Sequence, residues 1–196
     1  MKLVVAVSGA SGAPYARRLL DFLAASGDAH AVSVDLVFTE TGKQVWRHEI
    51  GAEPSYPFRT WKNRDFTAPF ASGSAQYDAM AVVPCSAGAL ARIAYGVSTD
   101  LVGRAADVML KERKRLVLCL RETPMSLVHA RAVVQALEAG AIVMPASPSF
   151  YSGPEDVGAL VDTVVARLLD RLGVPNDLMR RWEGLAPRSR AEPVED

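Results

Sequence analysis

The chain has 196 residues, with 22 Lys or Arg and 22 Asp or Glu residues, so its formal net charge at pH 7 is zero. This balance argues against a nucleic-acid or membrane-surface partner, and no stretch approaches the roughly 18 apolar residues of a membrane span. Three scattered His residues, and two Cys residues without Cys-x-x-Cys spacing, argue against a metal site. We expect one cytoplasmic domain in which Cys85 and Cys119 are reduced core thiols.

Apolar, strand-like segments alternate with amphipathic, helix-like segments from the start of the chain. A strand is predicted over 3–7 and a helix over 13–25. A second strand over 32–38 leads into a helix that Thr39 caps. The stretch 51–76 contains three Pro residues and no clean period, so we interpret it as one long irregular insertion.

The second half of the chain continues the same alternation. Its predicted elements are a strand at 79–84, a short helix, a helix at 101–113, a strand at 116–120, a helix at 123–140, a strand at 142–144 and a helix at 153–172. Thr123 and Pro124 are expected to be the N-cap and first-turn residue of their helix. The alternation predicts a single-domain α/β fold, a doubly wound parallel sheet that binds ligands at the carboxyl ends of its strands.

Small residues follow the first strand, in the segment SGASG at 8–12. Glycine lets a backbone approach a ligand closely, and a helix start offers N–H groups to an anion. These properties favour ligand binding at Gly9, Ala10 and Ser11, although an ordinary tight turn would use the same residues. Thr39, after the second strand, supplies a hydroxyl where a dinucleotide site would have an acid, which favours a mononucleotide.

Polar and charged residues follow the third and fourth strands. Ser86 is placed at a helix start, where an ordinary cap is the alternative interpretation. Arg121 and Glu122 follow the fourth strand, where a surface ion pair is the alternative. Arg104 and Lys111 are seven residues apart, on one face of a predicted helix. Arg and Lys residues clustered without a matching acid indicate a phosphate.

Two further candidates lie near the end of the chain. Arg167 lies at the edge of the apolar stripe of the last helix, where a structural ion pair is the alternative. Tyr151 follows the fifth strand and combines an aromatic face with a hydroxyl, as a residue beside a phosphate-bearing ring would; core packing is the alternative.

Four stretches resemble the flavin prenyltransferase family: VSGASGAPYARRLL, ASGSAQYDAMAVVPCS, the block from Arg104 to Tyr151, and VDTVVARLLDRLG. The resemblance covers about residues 1–185 and leaves 186–196 as a flexible tail. It implies a flavodoxin-like (Rossmann-like) fold and an enzyme that joins the dimethylallyl group of dimethylallyl monophosphate to N5 and C6 of reduced FMN, without metal. It also implies a homododecamer whose product, prenylated FMN, serves a partner decarboxylase.

The resemblance assigns roles to individual residues. FMN would be contacted by Gly9, Ala10, Ser11, Thr39, Ser86, Ala87, Gly88, Ala89, Arg104 and Arg121. The prenyl phosphate would be held by Tyr151, Arg167 and Lys111. The catalytic residues would be Glu122, Tyr151, Lys111 and Arg121. Family sites lie between subunits, so Arg104 would be available to a neighbouring site.

Ala89 stands where many family members have Thr, which removes one hydrogen bond to FMN, worth about 1 kcal/mol. Trp182 is either a packing anchor of the tail or an aromatic neighbour of the allylic cation.

Two other functions are compatible with the same fold. An FMN-dependent oxidative decarboxylase of a cysteinyl substrate would carry a catalytic His in its first half and a PASANT-like segment, where this chain has PCSAGAL. A non-catalytic FMN-binding subunit would have no need for Tyr151, Arg167 and Glu122.

Overall fold

The computed structural model describes residues 1–26 and 29–184 and shows six strands in one sheet. The strands are β1 (Lys2–Val7), β2 (Ser33–Phe38), β3 (Arg59–Lys62), β4 (Ala79–Cys85), β5 (Arg115–Leu120) and β6 (Ile142–Pro145). Their order is β3-β2-β1-β4-β5-β6, and every neighbouring pair is parallel. The predicted Rossmann-like (flavodoxin-like), doubly wound parallel sheet is therefore confirmed. The predicted flexible tail at 186–196 lies outside the described residues.

Six helices cover the two faces of this sheet. They are α1 (Ala13–Ser26), α2 (Glu40–Ile50), α3 (Ala87–Ala94), α4 (Leu101–Lys111), α5 (Leu127–Glu138) and α6 (Val157–Leu172). Helices α1, α2 and α6 pack on one face, and α3, α4 and α5 pack on the other. None of these described helices is long and apolar enough to cross a bilayer.

The first strand shows why its sequence is apolar without alternation. Leu3, Val5 and Val7 belong to the core under α1, α2 and α6, whereas Val4 and Ala6 belong to the core on the opposite face. Successive side chains of a strand point to opposite faces, and both faces are covered here. A continuous apolar run is therefore what this central strand requires.

The interpretation of 51–76 as wholly irregular is wrong, because the segment contains the edge strand β3. This strand has four residues, of which only Trp61 is buried, and it pairs with β2. Two 3-10 turns, Pro69–Ala71 and Gly73–Ala75, follow it. An edge strand covered on one side needs little apolar sequence, so hydropathy gave no signal for it.

Two helices begin later than the sequence predicts. Ser126, not Thr123, is the N-cap of α5, where its side chain accepts the N–H of His129 and the His129 side chain accepts the N–H of Ser126. Asp156 is the N-cap of α6, so Pro154 precedes the helix instead of lying in its first turn. The end of α6 is confirmed, because Gly173 adopts the left-handed conformation just after Leu172.

Candidate functional site

The loops that follow β1 and β4 are tied together by one buried hydroxyl. The Ser8 hydroxyl donates to the carbonyl of Pro84 at 2.9 Å and accepts the N–H of Ser86 at 2.9 Å. These bonds bring two predicted ligand segments, one beginning at Gly9 and one at Ser86, to the same edge of the sheet.

The small residues after β1 are needed for the packing and the backbone conformation of this loop. A Cβ on Gly9 would lie 2.4 Å from Oγ1 of Thr41, so α2 fills the space that a side chain would need. Gly12 has a φ of +120°, a conformation that side chains rarely adopt. The space on the Cβ side of Gly9 is therefore filled by α2, whereas the loop is exposed at Ser11. Contacts of Gly9 and Ala10 with FMN stay a prediction.

The start of α1 is already occupied by a carboxylate. Oε2 of Glu49, in the last turn of α2, accepts the N–H of Gly12 at 2.9 Å and that of Ala13 at 2.8 Å. Partial burial alone would raise the pKa of Glu49, but hydrogen bonds from Ser11, Gly12 and Ala13 hold the pKa below its usual value. The expectation that this helix start receives an anion is wrong, because Glu49 uses its N–H groups.

Arg121 completes a small polar cluster at this position. Its Nε donates to the carbonyl of Ser11 at 3.1 Å, and its charge also helps to lower the pKa of Glu49. Sequence reasoning predicted Ser11 and Arg121 but missed Glu49. No sequence signal pointed to Glu49, because it lies 36 residues after its nearer backbone partner and depends on the packing of α2 against α1.

The start of α3 offers the N–H groups that the start of α1 does not. The Ser86 side chain accepts the N–H of Ala89 at 3.2 Å, as an N-cap does. The first-turn N–H groups of Ala87 and Gly88 have no acceptor within the helix, because helix geometry provides none. Thr39 caps α2 in the same way, and there Glu40 in the first turn lies 3.5 Å from Lys43. The start of α3, with no acid in its first turn, suits a phosphate group.

Arg121 and Glu122 do not form the local ion pair that was the alternative interpretation. Across residues 1–26 and 29–184, no salt bridge joins them. Arg121 turns to the Ser11 carbonyl, while Oε1 of Glu122 accepts the N–H of Thr123 at 3.1 Å. Glu122 is half-buried at the carboxyl end of β5, where it is available to a ligand.

A cleft of about 210 Å³ lies between β6 and α6. Arg167 and Arg171 line it from the helix, and Ser147 lines it from the segment after the strand. Arg167 is also paired with Asp170, its Nη1 lying 3.1 Å from Oδ2 of the carboxylate. The cleft thus presents two guanidinium groups and a hydroxyl to an anion.

Tyr151 follows β6 by six residues and is not a core residue. Its ring is 5.5 Å from that of Trp182, centroid to centroid, in an edge-to-face arrangement of 84°. The exposed fractions are 51% for Tyr151 and 57% for Trp182, so neither ring is buried in the core. Core packing, the alternative for Tyr151, does not describe it.

Lys111, one of the two predicted cations of α4, does not lie beside Arg121 within one chain. Arg104 pairs with Asp107 and Lys111 pairs with Glu112, so the expectation of cations without matching acids is wrong. Lys111 ends α4, at the amino edge of the sheet, whereas Arg121 follows the last residue of β5 at the carboxyl edge. The six residues of β5 separate these two edges by about 20 Å.

The chain is similar to known proteins over most of its length. A family model described as Flavoprotein matches residues 1–169. The chain is 42% identical over 186 residues to the flavin prenyltransferase UbiX of Thermoplasma acidophilum, a match that covers 93% of this chain and 100% of that protein. It is 39% identical over 193 residues to UbiX of Escherichia coli K12, covering 93% and 98%.

The chain belongs to the flavin prenyltransferase family. A crystal structure of AnUbiX (PadA1) in complex with FMN and dimethylallyl pyrophosphate matches with a TM-score of 0.87 at 37% identity, covering 94% of this chain and 98% of that one. A dodecameric FMN-dependent UbiX-like decarboxylase from Escherichia coli O157:H7 matches with a TM-score of 0.85 at 38% identity, covering 94% and 100%.

The FMN-dependent cysteine decarboxylase TvaF has a TM-score of 0.57 at 15% identity, and this likeness extends to the fold alone. Relatives within the flavin prenyltransferase family match over nearly the whole chain at more than twice that identity. The alternative of a cysteine-type decarboxylase is therefore not favoured.

Proposed function

We propose that this flavin prenyltransferase joins the dimethylallyl group of dimethylallyl monophosphate to N5 and C6 of reduced FMN, giving prenylated FMN. The observation that carries the proposal is the meeting of three loops at the carboxyl edge of the sheet. Ser8 ties the loop after β1 to Ser86, and Arg121 reaches the carbonyl of Ser11. Four of the residues expected to hold FMN would thus lie together at this edge, and Tyr151 and Arg167 are the further residues that we expect to bind the prenyl phosphate.

We expect FMN to bind at the carboxyl edge of the sheet in one orientation. Its phosphate fits the N–H groups at the start of α3 and the Ser86 cap, because the start of α1 is occupied by Glu49. Its ring would lie along the exposed side of Ser11, near Arg121. When bound, reduced FMN supplies the two nucleophilic atoms of the reaction.

The prenyl phosphate would lie between the cleft and the aromatic pair. Arg167 and Arg121 would bind the phosphate and stabilise the negative charge that grows on it as the allylic C–O bond breaks. The faces of Tyr151 and Trp182 would stabilise the allylic cation. A monophosphate of this kind can be bound by these side chains alone.

Glu122 would accept the proton that is released when the new bonds form. It is a half-buried carboxylate next to Arg121, at the end of a buried strand. A positioned acid or base of this kind contributes about 10²–10⁴-fold to a rate.

Lys111 and Arg104 would act on the site of a neighbouring subunit. Lys111 lies at the opposite edge of the sheet from Arg121, so it reaches a prenyl phosphate only across an interface. Several apolar side chains on the outer face of α5 are exposed, among them Leu127, Val128 and Val134. Such a stripe supports assembly, and a homododecamer is the assembly we propose.

The product would pass to a decarboxylase that uses prenylated FMN, in the reducing cytoplasm. The two buried free thiols, Cys85 and Cys119, fit that compartment, because burial raises the pKa of both and keeps them unreactive.

Phosphate release tests the proposed function. The protein is incubated anaerobically with chemically reduced FMN and dimethylallyl monophosphate, and inorganic phosphate is measured over time. We expect release that requires both ligands. A parallel incubation with dimethylallyl diphosphate, followed as pyrophosphate, shows which substrate is preferred. No release, or equal release without FMN, would contradict the proposal.

A further inference from the structure

The segment after α6 folds back onto that helix at one carboxylate. Arg181 donates to Asp170 through both terminal nitrogens, with Nη1 2.6 Å from Oδ2 and Nη2 2.9 Å from Oδ1. Asn176 Nδ2 adds a third bond to Oδ1 at 3.1 Å. A bidentate Arg–carboxylate contact fixes direction as well as distance. Asp170 therefore anchors the chain through residue 181.

The carboxylate of Asp170 also contacts Arg167, whose Nη1 lies 3.1 Å from Oδ2. Two guanidinium groups thus share one negative charge, which leaves a net positive charge beside the cleft. Burial alone would raise the pKa of Asp170, but the bonds from Arg181 and Asn176 and the charge of Arg167 lower it. Asp170 is therefore charged at neutral pH and holds both arginines.

The residue after Arg181 is Trp182, whose ring meets Tyr151 edge to face. Trp182 is more than half exposed, so core packing does not fix its position. The hydrogen bond that holds this segment nearest to Trp182 is the one from Arg181 to Asp170, one residue before Trp182. The placement of Trp182 on Tyr151 thus depends on Asp170.

We propose that Asp170 is a positioning residue that couples the two ends of the prenyl site. Through Arg167 it aims a guanidinium at the phosphate, and through Arg181 it holds Trp182 against Tyr151. The inference rests on the proposed function, in which Arg167 and Tyr151 bind the prenyl phosphate.

The shared carboxylate leaves Arg167 able to bind a second anion. Arg167 contacts Asp170 through Nη1 alone, so its other N–H groups are available to a phosphate in the cleft. Arg181 and Asn176 hold the same carboxylate from the other side, so Asp170 stays in place while Arg167 contacts both groups.

The test uses Asp170→Asn, which keeps the shape and removes the charge, and Arg181→Gln, which removes the clamp. KM for dimethylallyl monophosphate should rise about tenfold in both, because held charge-assisted contacts are lost. The dissociation constant of FMN should stay at the wild-type value. Acrylamide quenching of Trp182, obtained by difference from Trp182→Phe, should increase. Arg181 lies outside the helices, so Arg181→Gln should fold whatever Asp170→Asn does.

Asp162→Asn is the matched control. Asp162 lies on the same helix and pairs with Arg18 at 2.5 Å, away from the cleft. This variant should lose stability but keep the wild-type KM and the wild-type quenching. Wild-type KM or wild-type quenching in the folded Arg181→Gln variant would overturn the inference. If the wild-type protein released no phosphate, the proposed function alone would fail, because quenching and calorimetric binding of dimethylallyl monophosphate still test Asp170.

Discussion

At the scale of single residues, Glu49 is the part of the site that the sequence did not show. Arg121, Glu122 and Tyr151 were predictable because each follows a strand in a fold that binds ligands at strand ends. Glu49 lies in the last turn of a helix, and only tertiary packing brings it to Gly12. Local patterns cannot report such a contact.

Substitution Glu49→Gln keeps an acceptor for the N–H groups of α1 but removes the charge. At pH 7 we expect it to lower the free energy of unfolding by about 1 kcal/mol. The folded-state pKa of Glu49 is below the ordinary value of 4.5, so its stabilisation is present above that pH and is lost as the pH falls through the folded-state pKa. Urea unfolding of both proteins between pH 7 and pH 3 should show the difference closing in acid. A difference that does not change with pH would contradict this role.

Substitution Glu122→Gln should separate binding from chemistry. Glutamine keeps the shape of Glu122 but cannot accept the proton, so both ligands should bind while product formation slows by about 10²–10⁴-fold. Stopped-flow spectra of the flavin measure the rate. Glu138→Gln, on the exposed end of α5, is the control and should have the wild-type rate. A wild-type rate in Glu122→Gln would exclude it as the proton acceptor.

At the scale of elements, the proposed position of the FMN phosphate depends on which helix start has free N–H groups. Helices α1, α2 and α3 all begin at the carboxyl edge, but α1 is capped by Glu49 and α2 carries Glu40 in its first turn. Only α3, among these three, has neither an acid nor a carboxylate partner at its start. The sequence predicted all three helices but not the difference between them.

Substitution Ser86→Ala tests the start of α3. Losing the N-cap should cost about 1 kcal/mol of stability and should also weaken FMN binding. Ser126→Ala removes an equivalent N-cap, that of α5, at a similar cost in stability. Thermal unfolding and FMN titration of the two variants should give similar losses of stability but a weaker FMN affinity only for Ser86→Ala. Equal FMN affinities of the two variants would contradict binding of the FMN phosphate at the start of α3.

The sequence predicted the central elements better than the peripheral ones, for a physical reason. Strands such as β1 and β4 are buried on both faces, so their sequences are continuously apolar. Strand β3 is held by pairing with β2 at the edge of the sheet. Backbone hydrogen bonds of this kind do not depend on the type of side chain, so the sequence does not indicate them. The start of α5 was misplaced because Thr123-Pro124 and Ser126 both have the composition of a helix start.

At the scale of the whole molecule, one chain holds an incomplete set of the predicted phosphate ligands. Arg121 follows the carboxyl end of β5, while Lys111 lies at the other edge of the sheet, beside Glu112. A second subunit would complete the set. The sequence located Lys111 on its helix but gave no information about which end of the sheet that helix would place it at.

Mixed assemblies test the contribution of a neighbouring subunit. Lys111→Ala and Glu122→Gln should each be nearly inactive, because each oligomer then lacks one group at every site. Dissociating the two variants, mixing them and reassembling them should restore part of the activity, since some sites then receive both native groups. Light scattering should show particles larger than a dimer. Reassembled mixtures without regained activity, or a monomeric mass, would contradict the shared site.

The mass of the flavin product tests the central claim most directly. Wild-type protein is incubated anaerobically with reduced FMN and dimethylallyl monophosphate, and the flavin is then extracted for mass spectrometry. We predict an FMN heavier by one dimethylallyl-derived group, formed only when both ligands and the protein are present. Flavin of unchanged mass, from protein shown to bind both ligands, would contradict the assignment of this chain as a flavin prenyltransferase.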